Sequence, residues 1–261
     1  MSAVRLAHAA PPLVLTFAAT DPTCGAGAHA DVLAIGARGC HPLSVVTALT
    51  VQDTRGVHAM HALEPALVTA QARALLAELP VAAFKLGVLG SAANATAVAS
   101  ILAQHADVPV VMDPVLASGR GDPFADEALV EAMRRELLPL ATVLTPNTLE
   151  ARRVSGEADL EAGVRGLLAL GCRYVLLTGT HDDTTEVVNS LYGPAGLVRA
   201  ERWPRLPGSY HGSGCTLAAA LAAALARGLP VEAASHDAQA YTWQALQRGF
   251  RPAGGQSLPV R

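Results

Sequence analysis

Short β-rich runs alternate with stretches rich in alanine and leucine along most of this chain. The runs with strand character are Leu13–Phe17, Leu43–Thr47, Ala83–Val88, Pro109–Met112, Thr142–Leu144 and Tyr174–Leu177. Helices are expected to fill the gaps between them, the pattern of a parallel sheet covered by helices on both faces. One pair breaks the alternation. Glu186–Tyr192 and Leu197–Trp203 flank Gly193-Pro194-Ala195-Gly196, which reads as a hairpin turn at one sheet edge. The expectation is one doubly wound α/β domain over residues 13–249, with 1–12 as an N-terminal extension. The Pro- and Gly-containing residues 250–261 read as a frayed tail. No insertion is long enough to build a separate lid domain.

Composition narrows what such a domain can do. Its 261 residues are 51% hydrophobic and 16% charged, enough for a sizeable core, and the net charge of −3 provides no field for nucleic acid or an anionic membrane. The longest apolar helical stretch, Leu217 to Ala226, is closed by Arg227, short of the roughly 20 residues a membrane span needs. Arg5 followed by Leu13–Ala19 faintly mimics a secretion signal, but Pro11-Pro12 fits a first buried strand better. Cys24, Cys40, Cys172 and Cys215 show no metal-binding or paired spacing, so a reducing cytoplasm is expected.

In doubly wound sheets, ligands bind beyond the carboxyl ends of the strands, so polar residues directly after strands carry the chemistry. The strongest candidate is Tyr210-His211-Gly212-Ser213-Gly214-Cys215-Thr216, which opens the helix former Leu217–Ala222. Glycines there leave the backbone bare, so several N–H groups can converge on a phosphate at the positive end of the helix. A simple helix cap by Ser213 is the plainer alternative, but a cap needs one polar residue and not two flanking glycines. Cys215 falls in the first helical turn, where the dipole favours a thiolate and makes it a candidate general base. Packing as a small apolar residue is the equal alternative. His58 and His61 read as a solvated loop pair, and His181-Asp182-Asp183 as a turn at the mouth of the site.

Several blocks together carry a family resemblance. Ala19-Thr20-Asp21-Pro22 with Gly25-Ala26-Gly27 and Asp31, Val46–Leu49 leading to Gln52–Val57, Lys85–Leu89, Met112–Val115, Gly121-Asp122-Pro123, Thr145-Pro146-Asn147 with Glu150, and His211 to Thr216 occur in order. The chain resembles the hydroxymethylpyrimidine and phosphomethylpyrimidine kinases, which have the ribokinase-like fold and make the pyrimidine precursor of thiamine. The resemblance implies ATP and Mg²⁺ as cofactors, a small aminopyrimidine alcohol as substrate, and a homodimer. It assigns Gln52 to the aminopyrimidine, whose ring nitrogen and amine suit a primary amide. Asp31, Ala19 and Val88 are assigned to the same pocket. Asp113 and Glu150, with Asn147, are assigned to the metal. Asn147 and Glu150 also spell a capping box. The Gly212, Ser213 and Gly214 amides are assigned to the migrating phosphoryl group, His211 to the nucleotide, and Cys215 to the hydroxyl proton.

Three departures stand beside this pattern. Thr178, in the ATP site, replaces a family lysine that would reach the phosphates, and Arg120 in the loop Ser118–Gly121 is the cation expected to compensate. Ala19 and Cys24 replace glycines, adding bulk near the substrate. The family also contains members acting on pyridoxal, so pyridoxal phosphorylation is an alternative, and the lost lysine leaves a pyrimidine-binding relative with little catalytic power as another.

Overall fold

The computed structural model describes residues 10–119, 121–180 and 184–261; Arg120 and His181-Asp182-Asp183 lie outside the described residues. In chain order the elements are β1 (Leu13–Ala18), α1 (Gly27–Ala37), β2 (His41–Val46), β3 (Ala48–Asp53), β4 (Gly56–Ala62), α2 (Pro65–Leu76), β5 (Val81–Leu86), α3 (Ala92–Leu102), β6 (Val110–Met112), α4 (Glu127–Ala132), β7 (Val143–Leu144), α5 (Thr148–Ser155), α6 (Leu160–Ala169), β8 (Tyr174–Thr178), β9 (Glu186–Gly193), β10 (Gly196–Pro204), α7 (Ser213–Ala226) and α8 (Val231–Gln247).

The main sheet runs β10-β9-β8-β7-β6-β5-β1-β2. Its pairs from β2 through β8 are parallel, and β9 and β10 close one edge as the antiparallel hairpin expected from the glycine-flanked turn. Two apolar layers sandwich this sheet, which is why its strands are so uniformly hydrophobic. Phe17, Phe84, Leu86, Met112 and Leu144 join α2 to α6 on one face. Val14, Ala83, Val111 and Leu176 meet α1, α7 and α8 on the other. The alanines of α7 from Ala218 through Ala224 are buried, letting the helix lie close against the strands.

Strand order turns at β1, which has β2 on one side and β5 on the other. Such a switch point opens a crevice at the carboxyl ends of the strands.

Two expectations require correction. Residues 48–62, which fall in a gap expected to be helical, form the separate two-stranded sheet β3–β4. Alternation in Leu49-Thr50-Val51-Gln52 and the turn at Asp53-Thr54-Arg55-Gly56 explain it; Asp53 Oδ1 accepts the N–H groups of Arg55 and Gly56 at 2.7 and 3.1 Å. The tail is also not frayed. Phe250 and Leu258 exchange both main-chain hydrogen bonds, and Gln256 is buried.

Candidate active site

A cleft of about 460 Å³ lies over the carboxyl ends of β1, β5, β6, β7 and β8. Ala19, Val88, Asp113, Thr145 and Thr178, each at or just past a strand end, form its floor. The cleft has two arms. Near β1 it is walled by Thr20, Thr50, Gln52 and Val88; near β8 to β10 by Thr178, Thr180, Asn189, Trp203, Arg205 and Trp243. The first residues of α7 lie on the wall as well.

Gly212 is the N-cap of α7, with φ +74, and no side chain caps the helix. Ser213 is therefore the first helical residue and not a cap. The earliest α7 main-chain bond joins Thr216 N–H to Gly212 O at 2.9 Å, leaving the Ser213, Gly214 and Cys215 amides for an anion. A side chain at Gly212 would overlap the Gly25 carbonyl, so glycine is required both by dihedral angle and by space. Behind this turn, His211 Nε2 meets Asp21 Oδ2 at 2.7 Å. Asp21 also accepts the Ala26 and Thr23 amides, at 2.7 and 2.9 Å. Burial works against its charge, but the His211 and Thr23 hydrogen bonds hold its carboxyl below the ordinary range. His211, assigned by resemblance to the nucleotide, thus holds the β1–α1 loop against the start of α7.

Asp113 emerges from β6 with its carboxylate facing α7; its oxygens lie 3.6 and 3.7 Å from where a Gly214 side chain would begin. Burial first, and the charge of Asp31 second, raise its carboxyl to about 6 against the pull of Lys85. Glu150 is pushed up to about 8 by burial and by Asp113. Asn147 and Glu150 form a reciprocal capping box at the start of α5: Asn147 Oδ1 accepts the Leu149 and Glu150 amides, and Glu150 Oε2 accepts Asn147 N–H at 2.9 Å. Asn147 therefore spends its oxygen on the cap and acts on Glu150.

Asp31 does not reach the cleft, contrary to the sequence expectation. It is fully buried behind the floor, where its Oδ2 accepts Thr16 Oγ1 at 2.5 Å and Lys85 Nζ at 2.9 Å. An ammonium inside the sheet needs a counter-ion, and α1 turns Asp31 inward to supply it. Burial favours loss of the Lys85 proton, but Asp31, Cys215 and Asp113 hold its pKa above the ordinary value. Lys85 opens the Lys85–Leu89 block, and its role as the buried partner of Asp31 is visible only in the structure. Its signal was a lone lysine within the apolar strand Ala83–Leu86.

At Cys215 burial works against the thiolate that the helix dipole favours. Its thiol is pushed up to about 12, primarily by burial, with Asp113 and Asp31 adding to the effect and Lys85 and the Gly27 N–H opposing it. Desolvation thus exceeds the helix dipole, and the resting residue is a thiol within hydrogen-bonding reach of Asp113. Gln52 borders the first arm at a β-bulge, where the β3–β4 register shifts between Val51 and Gln52. Such irregularities re-aim side chains beside sites. His58 and His61 are both exposed on β4.

Fold and site together place the molecule among ribokinase-like small-molecule kinases. The chain belongs to the phosphomethylpyrimidine kinase family, whose model matches residues 21–261. It is 40% identical over 261 residues to the hydroxymethylpyrimidine/phosphomethylpyrimidine kinase of Streptomyces coelicolor, covering 96% of this chain and 94% of that protein. The phosphomethylpyrimidine kinase of Clostridium difficile superposes with a TM-score of 0.78 at 29% identity, over 90% of this chain and 99% of the other. Staphylococcus aureus pyridoxal kinase in complex with AMP-PCP and pyridoxal superposes with a TM-score of 0.86 at 25% identity, over 96% and 94%. Among the described residues no helix is long and apolar enough to cross a membrane.

Proposed function

We propose that this protein transfers the γ-phosphoryl group of ATP to the hydroxymethyl of 4-amino-5-hydroxymethyl-2-methylpyrimidine and then to the resulting monophosphate, yielding the diphosphate used for thiamine. The observation that carries this reading is the uncapped start of α7 facing Asp113 across the cleft floor. Amides aimed at one point stabilise charge on phosphoryl oxygens without reorganising, and phosphoryl transfer asks chiefly for such positioning.

In this reading the pyrimidine occupies the arm beside β1, with Gln52 on its amine and ring nitrogen and Ala19 and Val88 against its faces. The nucleotide occupies the arm near β8 to β10. The substrate oxygen attacks the γ-phosphorus as the bond to the β–γ bridging oxygen breaks, and ADP leaves. The hydroxyl proton passes late to the Cys215–Asp113 pair: sulfur accepts it while its own proton moves to the carboxylate, which burial has made receptive.

The donors also fit a hard divalent cation. Asp113 Oδ2 is buried without a hydrogen-bond partner, and the neighbouring Glu150 carboxyl is raised by burial and then by the Asp113 charge. A cation held by these two residues would relieve that repulsion, and magnesium, which takes oxygen ligands and retains waters, would neutralise phosphate charge there.

An ADP-release assay with the pyrimidine alcohol, its monophosphate and pyridoxal tests the proposal. Turnover of both pyrimidines above pyridoxal is expected. Preference for pyridoxal would favour the activity named for the structural relative, and tight pyrimidine binding without ADP release would leave only a binding protein.

A further inference from the structure

Thr178 leaves the β8 end of the cleft without the positive charge expected at that corner, yet a guanidinium is delivered there from another strand. Arg205 directly follows β10 and is half-buried. Among the described residues it is the one lysine or arginine on the cleft wall. Its Nη1 donates to Thr180 O at 2.9 Å, its Nη2 to Gly179 O at 3.5 Å and its Nε to Thr184 O at 2.6 Å. Gly179 and Thr180 immediately follow Thr178, so these carbonyls fix the guanidinium at the corner from which a Thr178-position lysine would extend.

The location separates two sources of phosphate. Four strand steps lie between β1 and β8, about 19 Å at ordinary strand spacing. Arg205 therefore belongs to the arm opposite Ala19, Gln52 and Val88. Trp203 and Trp243, whose ring centroids are 6.3 Å apart, line the same arm and bring aromatic surface to it for a base. A planar fork of N–H donors matches phosphate oxygens better than an ammonium does.

We infer that Arg205 binds the polyphosphate of the nucleotide and supplies the cation that Thr178 lacks. The inference rests on the phosphotransfer reading above, and its test separates the two. Both tryptophans of the chain line this cleft, so intrinsic fluorescence reports ligand binding directly. Wild type, Arg205→Gln and Arg205→Lys are titrated with ADP and with adenosine. Transfer kinetics are measured with the pyrimidine alcohol and with its monophosphate. Arg205→Gln is expected to weaken ADP binding and raise the KM for ATP by about tenfold or more, the usual loss of a charged hydrogen bond. Adenosine affinity and the KM for either pyrimidine stay within about twofold, and Arg205→Lys recovers part of the loss. Unchanged ADP affinity in Arg205→Gln overturns the inference, as does an equal loss for adenosine, which would mark a structural role. A rise confined to the pyrimidine monophosphate would overturn it too, by placing Arg205 on the substrate. Wild type that neither binds ADP nor transfers phosphate would remove the phosphotransfer reading itself.

Discussion

At Cys215 a helix dipole and a dry environment compete, and the dry environment prevails. A dipole contributes about 0.3–1 kcal/mol in exposed settings, whereas burial moves buried groups by several pKa units. With the thiol at about 12, alkylation by iodoacetamide at pH 8 should be slow at Cys215 and fast at exposed Cys24. Peptide mapping is expected to show at least a tenfold difference in rate; equal labelling would mean a thiolate in the resting site. The carboxylates opposite have a stability consequence. Asp113 rises from 3.8 to about 6 and Glu150 from 4.5 to about 8, so the folded protein holds these protons more tightly than the unfolded chain does. Their contribution is complete below about pH 4 and is lost as pH rises toward about 8. Asp113→Asn removes one charge and relieves Glu150. It should therefore melt several degrees above wild type at pH 8, with the gap closing at pH 5, while transfer falls by about a hundredfold or more. A variant no more stable than wild type at pH 8 would show that these carboxylates carry no such cost.

Elements set these residues in place, and they differ in how openly the sequence announces them. The central strands and the β9–β10 hairpin were legible because burial on two faces and a glycine-flanked turn leave strong patterns. The start of α7 was legible for the same kind of reason: bare glycines before a long alanine helix have few other uses. Gly212→Ala tests that element. Left-handed backbone costs a residue with a side chain about 1–2 kcal/mol, and overlap with Gly25 adds to it. The expected result is a lower melting temperature and at least a hundredfold loss of transfer, measured by thermal scan and ADP release. The β3–β4 flap was not legible, because half-buried alternation over six residues is weak beside long helical neighbours. Asp31 was misplaced since one carboxylate looks alike facing a cleft or a buried lysine; only tertiary structure brings Lys85 from 54 residues away. If the flap's bulge aims Gln52 at the pyrimidine, Gln52→Ala should raise the pyrimidine KM by about tenfold with the KM for ATP unchanged. A shift in both would place Gln52 in the stability of the flap instead.

On the scale of the whole molecule, the final residues tie several separate parts of the cleft together. Gln256 N–H donates to Thr54 O in the flap turn at 2.9 Å, and Ser257 O accepts His211 N–H at 2.9 Å just before α7. Val260 N–H reaches Ala245 O in α8 at 3.0 Å. Arg261 donates to Thr216 Oγ1 at 2.9 Å and to the carbonyls of Gly25, Cys24 and Gly212. The Gly254-Gly255 pair, read from composition as looseness, reflects the opposite: a side chain at Gly255 would overlap Thr54, so glycine is what allows the close approach. Removing residues 256–261 should therefore release the flap and the α7 turn together. Both substrates are then expected to bind more weakly and turnover to fall by more than tenfold, with a lower melting temperature, since anchors are lost at the flap turn, at α8 and at the α7 start. Arg261→Ala cuts the ties to the α7 start and the β1–α1 loop but leaves the flap anchored through Gln256, so its effect should fall mainly on kcat and leave the KM for the pyrimidine near the wild-type value. A truncated protein with wild-type kinetics would show that the strap follows the cleft's geometry without maintaining it.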